Sequence, residues 1–374
     1  MSEKPDSDRR VSFLYRPANL ILLKLLAIAA LLYLFILSIA LLGSAAKLLG
    51  SDFAKGLIQT TSNPLAGLAI GVLATSAIQS SSTTTSIIVG LVSGGMLPFE
   101  AAVPMVMGAN IGTSVTNTIV SLAHISRGDE FRRAFAGSTV HDFFNLCSVI
   151  VLLPLQIFFD IIGWTAIQAE HLFAGFGGFK FTSPLAIISK PVAKQIVLLL
   201  DNSATLAIIL ALLMLFVALR YMVKTLKSLV LTRVERFFQR YVFRTSVLGF
   251  LLGIFLTVLV QSSSITTSIV IPLIGAGVLH IRQIYPYVLG ANIGTTITAF
   301  LASFATGSHE AVSVAFAHLI FNSYGTAVFW PFKRIPIGLA AKLAQVTQRS
   351  RIIPILYIVV VFFILPAMIL FFLN

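Results

Sequence analysis

Hydrophobic residues in this chain come in runs, and polar residues interrupt the runs at regular places. From Leu20 to Leu42 only Lys24, Tyr33 and Ser38 break the run, and Ile352 to Leu373 carries no charge. Each is as long as the roughly 20 residues a membrane-spanning helix needs, so both are predicted to span. The first exceeds the apolar core of a signal peptide and no clean small-x-small cleavage site follows it, so it is expected to remain in the mature protein. Between them lie shorter apolar segments. Pro64 to Ile78 and Ser246 to Val260 each run into the same polar tetrad, Gln-Ser-Ser-Ser. Both are too short for an ordinary span, and a re-entrant or broken helix is predicted for each.

The tetrad belongs to a longer unit that occurs twice. Gln79 to Ser86 and Gln261 to Ser268 share the pattern Gln-Ser-Ser-Ser-x-Thr-Thr-Ser, and Gly-Ala-Asn-Ile-Gly-Thr follows at Gly108 to Thr113 and at Gly290 to Thr295. The spacing is constant, 261 − 79 = 182 and 290 − 108 = 182, which marks an internal duplication. Gly67, Gly71 and Thr75 reappear as Gly249, Gly253 and Thr257. Small residues at every fourth position let helices approach closely, so these are read as packing positions and not as ligands. Glycine-rich turns follow at Ser93 to Gly95 and at Gly275 to Gly277. Further on, His141 and Asn145 match His318 and Asn322 at a spacing of 318 − 141 = 177, so a loop shorter by 182 − 177 = 5 residues separates the parts of the second copy. Each His-Asn pair falls on one helix face, where inter-helix hydrogen bonds are expected. The repeat covers about Gly67 to Pro154 and Gly249 to Pro331.

Composition agrees with a bilayer setting: 57% of the residues are hydrophobic, 10% are charged and the mean hydropathy is +0.97, outside the range of soluble globular domains. The formal net charge of +13 matters through its placement. Arg9, Arg10 and Arg16 precede the first span, basic residues from Arg220 to Arg244 fill one linker, and Lys333 to Arg351 supply another basic segment. This is the positive-inside pattern, which places all three on the cytoplasmic side of the cell membrane, N-terminus included. No aromatic-interleaved basic face accompanies the charge, so no nucleic-acid partner is expected. With the N-terminus inside, the first copy begins outside and the second begins inside. The copies are then inverted, the arrangement in which secondary transporters place a central site between two halves. A lone cysteine, Cys147, excludes an internal disulfide, and without an Asn-x-Ser/Thr sequon nothing points to a glycosylated ectodomain.

The expected fold is all-α and polytopic, with two inverted-topology repeats, each containing a re-entrant helical hairpin and broken helices. Residues 1–19 form a cytoplasmic segment, 20–60 the first span and a connector, and 61–163 the first transport unit. Residues 164–244 form a linker with one span and a basic loop, 245–332 the second unit, and 333–374 a basic loop with the last span.

Three adjacent hydroxyls and a primary amide at a helix break offer neutral hydrogen-bond donors, joined by exposed backbone N–H groups and a positive helix end. Two such cradles suit a tetrahedral oxyanion without a fixed cation, which would be costly at mid-membrane. The same hydroxyl, amide and carbonyl oxygens are hard ligands for an alkali cation. Alternatives are serines that only back-bond within their helices in a scaffold protein, and a serine hydrolase with His141 or His318 as base. The duplication weighs against the first, and the absence of a Gly-x-Ser-x-Gly elbow against the second.

The paired tetrads, the stretches GANIGTSVTNTIV (Gly108 to Val120) and FRRAFAGSTVHDFF (Phe131 to Phe144), and YPYVLGANIGTT (Tyr285 to Thr296) resemble the type II sodium-dependent phosphate cotransporters. The resemblance spans both halves and implies sodium-coupled symport of inorganic phosphate by alternating access, with no cofactor besides the coupling ion. It places phosphate at Gln79, Ser80, Ser81, Ser82, Gln261, Ser262, Ser263 and Ser264. Sodium ligands are expected among Thr84, Thr85, Asn110, Thr113, Asn117, Thr266, Thr267, Asn292 and Thr295. The reading that stays open beside it is an exporter or a carrier of another oxyanion such as arsenate. Electrogenic members carry an Asp where Arg127 stands, with Asp129 two residues on, so the sodium stoichiometry is left open. Oligomeric state is likewise unspecified. The short central linker, Trp164 to Lys194, is similar to a compact bacterial version of the family.

Overall fold

The computed structural model describes residues 17–126, 128–175, 184–237 and 245–373; Arg9, Arg10, Arg16, Arg127, Arg240 and Arg244 lie outside them. Among the described residues all regular structure is helical. Six of the described helices are long and apolar enough to cross a bilayer, among them Leu20–Leu49, Ala204–Leu229 and Ile353–Leu373. The two spans expected from the chain's ends are therefore present as such.

The first long helix, α1 (Pro17–Ala46), is followed by α2 (Gly50–Thr61) and α3 (Pro64–Ile78). The segments Asp52–Thr61 and Pro64–Ile78 meet at 99°. The bend lies at Asn63, whose side chain accepts from the Leu65 N–H (2.9 Å), with Pro64 opening the next helix. After α3 come α4 (Ser81–Ser93), α5 (Phe99–Thr113), α6 (Val115–Ser121), α7 (Asp129–Phe159) and α8 (Ile161–Phe173). The middle of the chain forms α9 (Pro184–Leu199) and α10 (Ala204–Phe237), both packed on α1. The second repeat comprises α11 (Ser246–Val260), α12 (Ser263–Ser268), α13 (Val270–Gly275), α14 (Ile281–Thr306) and α15 (His309–Phe329). Two outer elements close the chain: α16 (Arg334–Thr347), which lies on α7, and the last span, α17 (Ile353–Val359) and α18 (Leu365–Leu373) joined by a π-helical turn.

Fifteen residues give α3 and α11 a length of only about 22 Å, short of the roughly 30 Å hydrocarbon core. Each instead pairs tightly with the helix carrying Gly-Ala-Asn-Ile-Gly-Thr: α3 with α5, and α11 with α14. The glycines explain the closeness. A methyl added at Gly71 would overlap the carbonyl oxygen of Met105, and one at Gly253 that of Tyr287. Gly108 and Gly290 meet the Leu68 and Phe250 carbonyls in the same way. These four positions correspond pairwise at the 182-residue spacing, so both repeats build one backbone-to-backbone crossing.

The basic stretch expected to form a loop is helical at its start. Arg220, Lys224 and Lys227 continue α10 without a break, because nothing in Ala204–Phe237 is a proline or glycine that would end the helix.

Candidate functional site

Both tetrads sit where a helix stops and another begins. Gln79 closes α3 and Gln261 closes α11 in the left-handed conformation, at φ 57° and 60°, and each N–H returns to a threonine carbonyl (Thr75, Thr257) at 2.7 Å. The next residues, Ser80 and Ser262, are extended (φ −151° and −154°) and cap the following helices. Their side chains accept from the N–H of Thr83 (3.2 Å) and Ile265 (3.3 Å). The sequence needs nothing but its own hydroxyls to make this break, and it makes the same break twice.

The two tips meet. Ser82 Oγ donates towards the Gln261 carbonyl and the Thr298 hydroxyl, both at 3.4 Å, and Thr298 donates to Gln261 Oε1 at 3.1 Å. Ser264 Oγ donates to the Thr113 carbonyl at 3.3 Å. Gln79, Ser80 and Ser82 from one copy and Gln261, Ser262 and Ser264 from the other line one cavity of about 470 Å³. Ser81 and Ser263 are buried beside it, and neither hydroxyl has a hydrogen-bond partner among the described residues. All eight tetrad residues are thus gathered at one place, the six cavity-lining ones open to it.

The residues expected to bind sodium surround the tips and divide into two groups. Thr84, Thr85, Thr266 and Thr267 return their hydroxyl hydrogens to the tetrad carbonyls four residues back, at 2.7–3.2 Å, and Thr113 and Thr295 do the same to Ala109 and Ala291. Each is buried. A hydroxyl whose hydrogen is committed to its own helix still offers its oxygen as an acceptor.

Asn110, Asn117 and Asn292 belong to a buried network that joins the repeats. His141 Nε2 donates to Asn292 Oδ1, Asn292 Nδ2 to Asn145 Oδ1 (2.7 Å), and Asn145 Nδ2 to the Asn110 carbonyl (2.7 Å). On the other side His318 Nε2 (3.3 Å) and Asn322 Nδ2 (3.2 Å) both donate to Asn110 Oδ1. The histidine of each repeat therefore bonds the asparagine of the other, as inter-helix contacts were expected to do. Asn117 Nδ2 reaches Thr267 Oγ1 at 2.6 Å and His141 Nδ1 at 3.4 Å. With Nε2–H donating and Nδ1 accepting, His141 is a neutral imidazole with both nitrogens used.

Two features escaped the sequence reading. Asp142 is fully buried, with Oδ2 accepting from Thr118 and Tyr357 at 3.0 Å each and Oδ1 without a partner. Its signal was present: it is the single carboxylate of Phe131 to Phe159, directly after His141. The second is the set of cations Arg220, Lys224 and Lys227, which lines the same cavity as the tetrads. Among the described residues no group of His, Cys, Asp and Glu suits a transition-metal site.

Two matched hydroxyl-rich helix breaks within crossed short helices thus line one cavity of an all-helical, polytopic membrane protein. A family model described as Na+/Pi-cotransporter matches residues 34–181 and 214–365, and the chain belongs to this family. It is 33% identical to Sodium-dependent phosphate transport protein 2B of Homo sapiens, over 92% of this chain and 64% of that protein. It is 35% identical to Sodium-dependent phosphate transport protein 2A of Ovis aries, over 95% of this chain and 68% of that protein, and of Rattus norvegicus, over 93% and 67%. The chain thus spans just under two thirds of the human relative's length. No solved structure matches it. The resemblance to type II sodium-dependent phosphate cotransporters holds, and the hydrolase reading falls with it.

Proposed function

We propose that this protein is a sodium-coupled symporter of inorganic phosphate in the cell membrane, with its N-terminus in the cytoplasm and its two repeats inverted. The observation that carries the reading is the meeting of the two tetrads around one cavity, with the Ser81 and Ser263 hydroxyls left unbonded. Phosphate presents up to four oxygens, all acceptors or readily so, and a ring of hydroxyl and amide donors from two directions satisfies them without a buried cation. Gln79 to Ser82 and Gln261 to Ser264 are assigned to the anion.

Sodium is assigned to the oxygens behind the tips: Thr84, Thr85, Thr113 and Asn117 with Thr266, Thr267 and Thr295, and Asn110 and Asn292 through the seam. Asp142 adds a buried carboxylate with one free oxygen to this side of the site. A cation seated there lowers the cost of bringing a phosphate anion between the tips, and by linkage phosphate raises sodium affinity by the same factor. Neither ion then crosses alone efficiently. The broken helices supply the movable part, since short elements that end at the site can reorient without disrupting a full span.

Uptake of labelled phosphate into proteoliposomes with and without an inward sodium gradient tests the reading. Phosphate accumulation that requires the gradient is expected; uptake indifferent to sodium, or none with correctly inserted protein, would refute it.

A further inference from the structure

The cations along α10 are a part of the cavity that no motif of the repeats accounts for. Arg220, Lys224 and Lys227 stand at i, i+4 and i+7, one face of the helix, and that face borders the same cavity as both tips. Among the described residues no acidic side chain lines the cavity and none of the three cations is ion-paired with a carboxylate. Arg220 lies over the Phe216 ring, 5.9 Å from its centroid, which rests its stem on the wall while the guanidinium stays exposed.

Unneutralised charges of one sign around a concave opening concentrate counter-ions there and deplete ions of like sign. A planar guanidinium and two ammonium groups are the chemistry that receives phosphate oxygens. A second cavity repeats the theme. At the opposite ends of α4 and α10, beside Ser93 and Asn202, a space of about 580 Å³ is bordered by Lys47, Lys190 and Lys194. Cations thus stand at both ends of the same two helices, outside the neutral tips, with no acidic residue among the described lining of either cavity.

We propose that Arg220, Lys224 and Lys227 form an antechamber for free phosphate on the side where α10 ends, cytoplasmic in the orientation given above. It gathers the oxyanion next to the paired tips and keeps sodium dilute there. This rests on the phosphate-transport reading, and its test has one arm that does not.

In that arm, full-length protein carrying Cys147→Ser and Lys224→Cys is treated with a negatively and a positively charged methanethiosulfonate, each rate being taken relative to that with free cysteine. The remaining cations are expected to favour the anionic reagent about tenfold. Inorganic phosphate should slow that labelling while chloride at matched ionic strength does not. Equal relative rates, or no protection by phosphate, would overturn the antechamber. In the transport arm, R220Q/K224Q/K227Q is reconstituted in neutral phosphatidylcholine. Its KM for phosphate should rise about tenfold when measured from the α10 side and stay unchanged from the other, with R220K/K224R/K227R restoring it and reporting on folding. A KM equal to wild type from both sides counts against the proposal. So does a shift that appears only in vesicles containing anionic lipid, which would assign the stripe to lipid headgroups. If wild type carries no phosphate at all, the transport reading fails alone and the labelling arm still decides.

Discussion

The two repeats are alike where they build backbone and unlike where they place polar groups. In both, a glutamine in the left-handed conformation and an extended serine break the helix, and in both a glycine pair lets the short helix cross its neighbour. The differences begin at Asn117, whose counterpart 182 residues on is Ala299. Asn117 satisfies His141 Nδ1 and reaches Thr267 in the other repeat, whereas Nδ1 of His318, the matching histidine, is buried without a partner. Asp142 corresponds to Leu319, at the 177-residue spacing. Gln261 is tied by Thr298, while Thr116, which corresponds to Thr298, has a buried hydroxyl with no partner and Gln79 is exposed. Even the helices differ: Ser114 separates α5 from α6, yet α14 runs unbroken from Ile281 to Thr306. The frame is shared, and the amide of Asn117 and the carboxylate of Asp142 are additions found in the first half alone.

The largest expected effect falls on what is shared. Gly71→Ala and Gly253→Ala each force a methyl against a backbone carbonyl that cannot rotate away. Each should destabilise the protein by about 3 kcal/mol or more, read as a steep loss of folded material and a lower Tm in detergent. Tolerance in one repeat alone would break the likeness of the two crossings. Next come Ser81→Ala and Ser263→Ala. Removing a hydroxyl that bonds an anion costs about 1.5–3 kcal/mol, so phosphate kcat/KM should fall about 10- to 100-fold in both while insertion is retained. A large fall in only one would show that a single tip holds the anion.

The unlike positions should give smaller and lopsided effects. Asn117→Ala leaves His141 Nδ1 unpaired and is expected to raise the sodium concentration for half-maximal uptake about fivefold to tenfold, while Ala299→Ser changes it little. Asp142→Asn keeps an acceptor for Thr118 and Tyr357 and so should fold, yet weaken sodium dependence by a similar factor. Equal responses at positions 117 and 299 would remove the asymmetry as an explanation. The smallest effect is Thr298→Val, which frees the Gln261 amide and should shift the phosphate KM by about twofold.

Much of this was legible in the chain because it rests on local chemistry. The break at Gln79 and Gln261 follows from hydroxyls that cap the next helix, and the role of Gly71 and Gly253 from their spacing. The His-Asn pairs could be placed on one face by counting residues. Other features depend on partners far away in sequence. Nothing in Arg-Tyr-Met-Val-Lys-Thr-Leu-Lys says that Arg220, Lys224 and Lys227 turn towards the tips, since a positive-inside loop has the same composition. Asp142 looks like an isolated acid until Thr118 and Tyr357 arrive from two other helices. The break at Ser114 has no counterpart at Thr296 although both side chains bond the carbonyl three residues back, and the structure offers no local reason for it.

The ladder of imidazoles and amides ties the two halves to each other. Pulling its rungs apart would strip Asn110, Asn145, Asn292 and both histidines of partners together, at about 1–3 kcal/mol for each group left bare. Any movement that separates the halves at these rungs therefore carries a collective cost, and it would also break the Ser82 and Ser264 contacts between the tips.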